Sequence, residues 1–147
     1  MPTTTAPDPL ALDRQVCFAL VTTSRRVVSV YAPVLEPLGL THPQYLVMLA
    51  LWETSPRRVR GLADALYLEP ATLSPLLKRL ESAGLIERRR DPDDERALAV
   101  SLTAAGRSLR ERALAVPGQV MERLGVGVAE LERTRDVLNA LLATASR

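Results

Sequence analysis

Apolar residues first gather into a regular pattern between Asp13 and Glu36, where Val16, Leu20, Val27, Val30 and Val34 recur at helical spacing. Pro33 and Pro37 should bend or end this amphipathic helix, and Gly39 suits its exit. Thr41 then caps a second helix with Pro43 in its first turn. Its body, Tyr45-Leu46-Val47-Met48-Leu49-Ala50-Leu51-Trp52, is apolar on every side and belongs in a core. A turn at Thr54-Ser55-Pro56 leads to a short strand over Arg57 to Val59. A short helix from Arg60 to Leu66 comes next, then the link Tyr67-Leu68-Glu69. The next helix starts at Pro70 or Thr72, runs to Ser82 and is closed by Gly84. If Thr72 is its cap, Pro75 falls in the first turn, where no backbone N–H is needed.

Two short helices across a tight link read as a helix-turn-helix. Beyond them, Leu85 to Arg90 reads as a strand, Asp91-Pro92-Asp93-Asp94 as a turn and Ala97 to Leu102 as the returning strand. A hairpin placed there is a wing. Thr103 caps a long helix from Ala104 to Leu124, which Pro117 should kink, and Gly125 and Gly127 separate it from a last helix over Ala129 to Ala143. The pattern predicts a mainly α (α+β) fold: a winged helix-turn-helix with N- and C-terminal dimerisation helices. Residues 1–9 would be a flexible arm and 10–147 a single regulator domain. Its DNA-binding part would span about 54–103 and its dimerisation helices about 10–38 and 104–145. The terminal helices have nothing large to pack on within one chain, so a two-fold homodimer is the natural way to cover them.

Composition agrees with one α-rich domain: 147 residues, 47% hydrophobic and only 3% aromatic. No apolar run approaches the roughly 18–20 residues that span a bilayer. Met1 to Pro9 lacks the basic region and apolar stretch of a secretory signal, so a soluble, cytoplasmic protein is expected. The net charge is only +2, but Arg57-Arg58-Val59-Arg60, Lys78-Arg79 and Arg88-Arg89-Arg90 crowd the middle of the chain. Such clustering fits a phosphate-facing surface; a solvated charged face is the alternative. There is no Gly-rich phosphate loop, no His/Cys metal cluster and, around a single histidine, no Ser-His-Asp set. Enzymatic, metal and cofactor roles are therefore not expected.

In a helix-turn-helix the second helix enters the major groove by its N-terminal end. This puts Thr72 and Ser74 near base edges, with Lys78 and Arg79 reaching phosphates or guanine edges. Arg88 and Arg90 are candidate phosphate contacts. Arg96 lies at the wing, with Asp94 placed to orient it. A two-fold reader implies a pseudo-palindromic double-stranded operator with half-sites about one helical turn apart.

Two sets of residues resemble a known family. Leu85-Ile86, Asp94-Glu95-Arg96 and Leu102-Thr103 resemble the wing signature of the MarR family. Val16-Cys17-Phe18-Ala19-Leu20, Pro37-Leu38-Gly39-Leu40-Thr41, Pro43-Gln44-Tyr45-Leu46-Val47-Met48-Leu49 and Trp52-Glu53 resemble its organic-hydroperoxide-resistance branch. The likeness covers residues 10 to 143. It implies a homodimeric repressor whose N-terminal cysteine is oxidised to sulfenic acid by an organic hydroperoxide, whereupon the dimer leaves DNA. Members with one cysteine then form a mixed disulfide with a low-molecular-weight thiol, and this chain has only Cys17. It also implies that Arg96 enters the minor groove.

Chemically, the thiolate attacks peroxide, so a sensor needs surroundings that favour negative charge. Cys17 would lie one turn into the first helix, with Arg14 on the same face. The resembling family hydrogen-bonds the sulfur through tyrosine hydroxyls, and Tyr31 matches one of them. Fourteen helical residues separate the two, about 21 Å, so contact requires the first helices of two subunits to run antiparallel. The second family tyrosine is replaced by His42, whose cationic form would favour a thiolate more than a phenol does, and an aromatic four residues beyond the cysteine by Val21. The alternatives are a Cys17 that is inert packing and a His42 that is a first-turn surface residue. Two rival functions stand beside this one. One is a repressor gated by a non-covalent small aromatic acid, held by Arg25, Arg26 and His42. The other is a one-cysteine thiol peroxidase, which would leave the basic winged helix without a purpose.

Overall fold

The computed structural model describes residues 6–146. Residues 1–5 of the expected N-terminal arm lie outside them. Asp8 and Pro9 are tied to the start of the helical region, since the Leu10 N–H donates to Asp8 Oδ1 and the Gln15 side-chain amide donates to the Pro9 and Ala11 carbonyls, all at 2.9 Å.

The first helix, α1 (Val16–Leu35), begins later than the apolar spacing suggests. Leu12–Arg14 forms a separate 3-10 turn and Gln15 is extended (φ −84°, ψ 118°). Arg14 is therefore outside the helix that carries Cys17, and the shared face expected of them does not form. Pro33 is accommodated inside α1, which ends in a 3-10 turn at Glu36–Leu38 and a left-handed Gly39 (φ +70°). Helix α2 (His42–Glu53) opens on a reciprocal cap. The Gln44 N–H donates to Thr41 Oγ1 (3.4 Å) and the Thr41 N–H to Gln44 Oε1 (3.0 Å), satisfying two groups that a helix start leaves open. Tyr45, Val47, Met48, Ala50 and Leu51 of α2 are buried, as befits a helix apolar all round.

The middle of the chain is a helix-turn-helix with a wing. Strand β1 (Arg57–Arg58) leads directly into α3 (Val59–Ala65), and α4 (Pro70–Ser82) comes after a link in which Tyr67 is left-handed (φ +55°). Because α4 starts at Pro70, with Glu69 as its cap residue, Pro75 sits in the helix interior and not in the first turn. The carbonyl that loses its donor is that of Ala71, which is exposed and can meet water instead. Strands β2 (Ile86–Asp91) and β3 (Asp94–Leu102) pair antiparallel from Ile86 opposite Leu102 to Arg90 opposite Leu98. Strand β1 joins on the other side of β3, giving the order β1-β3-β2. The returning strand starts three residues earlier than expected, at Asp94 instead of Ala97, and the Asp91 and Asp94 carboxylates accept backbone N–H bonds around the turn.

The helix expected over Ala104–Leu124 is two helices, α5 (Ala104–Ala113) and α6 (Val116–Leu124). Pro117 lies in the first turn of α6, where its missing N–H has no intrahelical partner to lose; a new start costs less than a kinked interior. Thr103 caps α5, accepting the Gly106 N–H at 3.0 Å. Gly106 is a close-packing point: a Cβ there would run into the carbonyl oxygen of Leu85. A left-handed Gly125 (φ +67°) separates off α7 (Val128–Ala145).

The core forms where α2, α4 and the sheet meet α1, α3, α5 and α6. Leu35, Met48, Leu51, Leu62, Leu77 and Ile86 are among its fully buried members. Helix α7 contributes no buried residue.

Candidate nucleic-acid interface and sensor site

Helix α4 is sharply two-sided. Leu73, Leu76, Leu77 and Leu80 are buried against the core, which leaves Thr72, Ser74, Lys78 and Arg79 on the outer face. The four α4 residues that the sequence singles out thus share one exposed surface.

The wing residues divide. Arg90 and Arg96 are exposed. Asp94 acts on Arg96 through the backbone: its Oδ1 accepts the Arg96 N–H at 3.0 Å, an Asx-type turn that fixes the chain where the arginine departs. Arg88 is committed elsewhere. Its guanidinium makes a two-pronged contact with Glu81 at the end of α4, Nε to Oε2 and Nη2 to Oε1, both 3.3 Å. Its N–H adds a third bond to Glu81 Oε2 at 3.1 Å. The Arg88 side chain therefore holds the Glu81 carboxyl below the usual carboxylate range and joins α4 to β2.

A second ion pair is not legible in the sequence. Arg58 Nε donates to Asp91 Oδ2 at 2.7 Å, and Asp91 Oδ1 accepts the Asp93 N–H at 2.8 Å. Together these hold the Asp91 carboxyl below its usual range, the backbone bond from Asp93 contributing most. By sequence alone, Arg58 is one member of a basic cluster and Asp91 a turn former.

Cys17 is a free thiol, exposed, and the second residue of α1, within the first turn where the helix dipole favours negative charge. Phe18 and Val21 are exposed beside it in the chain. Near the other end of α1, Tyr31 and His42 meet edge to face, ring centroids 4.8 Å apart, with Tyr45 at 5.9 Å from Tyr31. The structure thus brings Tyr31 and His42 together and leaves Cys17 and Arg14 at the far end of the helix. Burial pushes the Tyr31 hydroxyl up and His42 down from their ordinary values. In the protomer, burial therefore disfavours the cationic form of His42. Beside it opens a cleft of about 750 Å³ between the end of α1 and the start of α2, lined by Val28, Ala32, Pro33, Leu40 and His42 among others. Arg25 and Arg26 are exposed and do not line it.

Among the described residues, no helix is long and apolar enough to cross a membrane.

Comparison with known proteins places this geometry. The MarR family model matches residues 40–98, from the end of the α1–α2 connection into β3. The organic hydroperoxide resistance transcriptional regulator of Bacillus subtilis is 39% identical over 137 residues, 93% of each chain. The reduced form of AbfR, a Staphylococcus epidermidis protein, bound to DNA superposes with a TM-score of 0.79 at 35% identity, covering 92% of both chains. CouR from Rhodococcus jostii, bound to p-coumaroyl-CoA, gives a TM-score of 0.75 at 29% identity, covering 90% of this chain and 94% of its own. The two-sided α4, the wing carrying Arg96 and a relative this similar over nearly all of its length lead to one conclusion: the chain belongs to the MarR family of winged-helix, DNA-binding transcriptional regulators.

Proposed function

We propose that this regulator is a homodimeric, cytoplasmic repressor that releases a pseudo-palindromic operator when an organic hydroperoxide oxidises Cys17. The observation that carries the reading is the arrangement along α1. The only cysteine is exposed at the helix start, and a paired Tyr31 and His42 stand at the other end. Antiparallel pairing of α1 with its copy would bring the sulfur of one subunit to the aromatic pair of the other. The exposed Val16, Phe18 and Val21, with Val137, Leu138 and Leu141 of α7, supply apolar surface for such a pairing.

The Cys17 thiolate attacks the distal peroxide oxygen, the O–O bond breaks, and sulfenic acid and an alcohol form after one proton is taken up. A low-molecular-weight thiol then condenses with the sulfenic acid, releasing water and leaving a mixed disulfide. Tyr31 and His42 of the partner would hold the thiolate through hydrogen bonds. The change at sulfur would be felt at once by the subunit interface, and so by the spacing of the two α4 helices on DNA. In the bound state Thr72, Ser74, Lys78 and Arg79 would face the major groove, Arg90 a phosphate and Arg96 the minor groove.

A gel-shift assay on the promoter of a neighbouring peroxide-detoxifying gene tests the reading. Wild type should release DNA on addition of cumene hydroperoxide, and Cys17→Ser should stay bound. Release by the serine variant would instead favour gating by a non-covalent ligand. The open cleft beside His42 and the CoA thioester bound to CouR are the reasons to keep that reading as the alternative.

A further inference from the structure

We propose that Arg58 and Asp91 are a positioning pair for DNA recognition, an ionic latch that fastens the wing to the first helix of the helix-turn-helix and so sets where Arg96 stands relative to α4. The inference rests on reading Arg96 as the arginine that enters the minor groove.

A protruding hairpin is held mainly at its root, and two strands alone are marginally stable. Here the β2–β3 ladder runs regularly out to Arg90 and then loses register between Arg90 and Asp91. The latch acts at that break. One oxygen of Asp91 closes the turn through the Asp93 N–H, and the other receives the Arg58 guanidinium at 2.7 Å. Only 13% of the Asp91 side chain is exposed, although the turn residues after it are open to solvent. Arg58 in turn ends β1 and is the residue on which α3 begins. The pair thus spans from the wing tip to the helix-turn-helix without passing through the hairpin itself. Arg58, Asp94 and Arg96 line one groove of about 510 Å³, with Pro70 at the start of α4 also on its wall.

An ion pair whose arginine is half-exposed adds little to stability, so its consequence lies in geometry. Electrostatics makes the point sharper. A carboxylate near a polyanion opposes binding, and its removal alone should tighten the complex. The latch requires the reverse.

The test uses the duplex that the wild-type protein selects from a randomised pool, with a scrambled duplex as the non-specific control, and measures fluorescence anisotropy. Asp91→Asn keeps an oxygen for the turn and removes the ionic partner; thermal melting verifies that it folds. Asp91→Asn and Arg58→Ala should each weaken selected-site binding about tenfold, a loss of the size of one mismatched base pair. The double variant should lose no more than either single one. Both losses should shrink when Arg96 is already alanine, and scrambled-duplex binding by Asp91→Asn should not fall. Asp91→Asn binding as tightly as wild type or more so would overturn the latch. So would a loss confined to Arg58→Ala and shared by the scrambled duplex, which marks a direct phosphate contact. An unchanged Arg96→Ala sinks the minor-groove reading and the latch with it. A loss in Arg96→Ala beside an unchanged Asp91→Asn sinks the latch alone.

Discussion

The winged-helix middle of the chain and its two ends obey different rules. Between Arg57 and Leu102 the large apolar side chains mostly turn inward, and the charged ones include pairs that tie element to element, such as Glu81–Arg88 and Arg58–Asp91. In α7 and the first half of α1, apolar side chains face out: Val16 is 63% exposed and Val137 68%. The middle closes its core within one chain, whereas the ends carry a helical pattern whose apolar stripe finds no partner there. A stripe at helical spacing records that a face will be covered, not what covers it.

The contrast can be broken most severely from the middle. Leu77→Ala empties a fully buried site under α4 and should cost about 3 kcal/mol, read as a lower denaturant midpoint at unchanged slope. A cost below about 1 kcal/mol would mean that the middle is far less tightly packed than described. At the ends, Leu138→Asp with Leu142→Asp should leave helix content nearly intact yet convert the proposed dimer to monomer. Selected-site affinity should fall about hundredfold as two linked half-sites become one. Light scattering and anisotropy check both outcomes, and a stable dimer would show that α7 faces something else. Gly106→Ala sharpens the comparison at the joint between the regions. The new methyl must displace the Leu85 carbonyl, at about 2 kcal/mol, measured by thermal melting.

The smallest effect concerns acid. The Glu81 carboxyl is held below its unfolded value by Arg88, so its contribution is present above the ordinary carboxylate range and is lost as pH falls through the lowered value. Glu81→Gln should therefore lower stability slightly on the neutral side and leave the acid limit almost unmoved, flattening the slope between them. A profile parallel to wild type would show that the pair does not matter in solution.

Much of this architecture is legible in the residues. The α2 cap at Thr41, the order of elements in the wing and the outward placement of Thr72, Ser74, Lys78 and Arg79 are set by local pattern and spacing. What escapes a sequence reading is of two kinds. Boundaries move where a local hydrogen bond outweighs periodicity: Gln15 bonding back to Pro9 and Ala11 delays α1 and strands Arg14, and Pro117 starts a helix instead of bending one. Pairings across long separations are invisible, because nothing in the sequence links Arg58 to a turn 33 residues later, or commits Arg88 to Glu81. Resemblance names Tyr31 and His42 as a pocket, but their edge-to-face geometry and the burial that disfavours the charged imidazole depend on the packing of α1 on α2.

The single tryptophan has a use of its own. Trp52 Nε1 donates to the Gly106 carbonyl at 2.9 Å, so the one indole of the chain bridges the end of α2 and the first turn of α5, the seam between core and wing root. Its emission is a built-in optical gauge of that seam. Any oxidant or effector that rocks the DNA-reading half against the rest should change the indole's colour or brightness, in unlabelled protein and in real time.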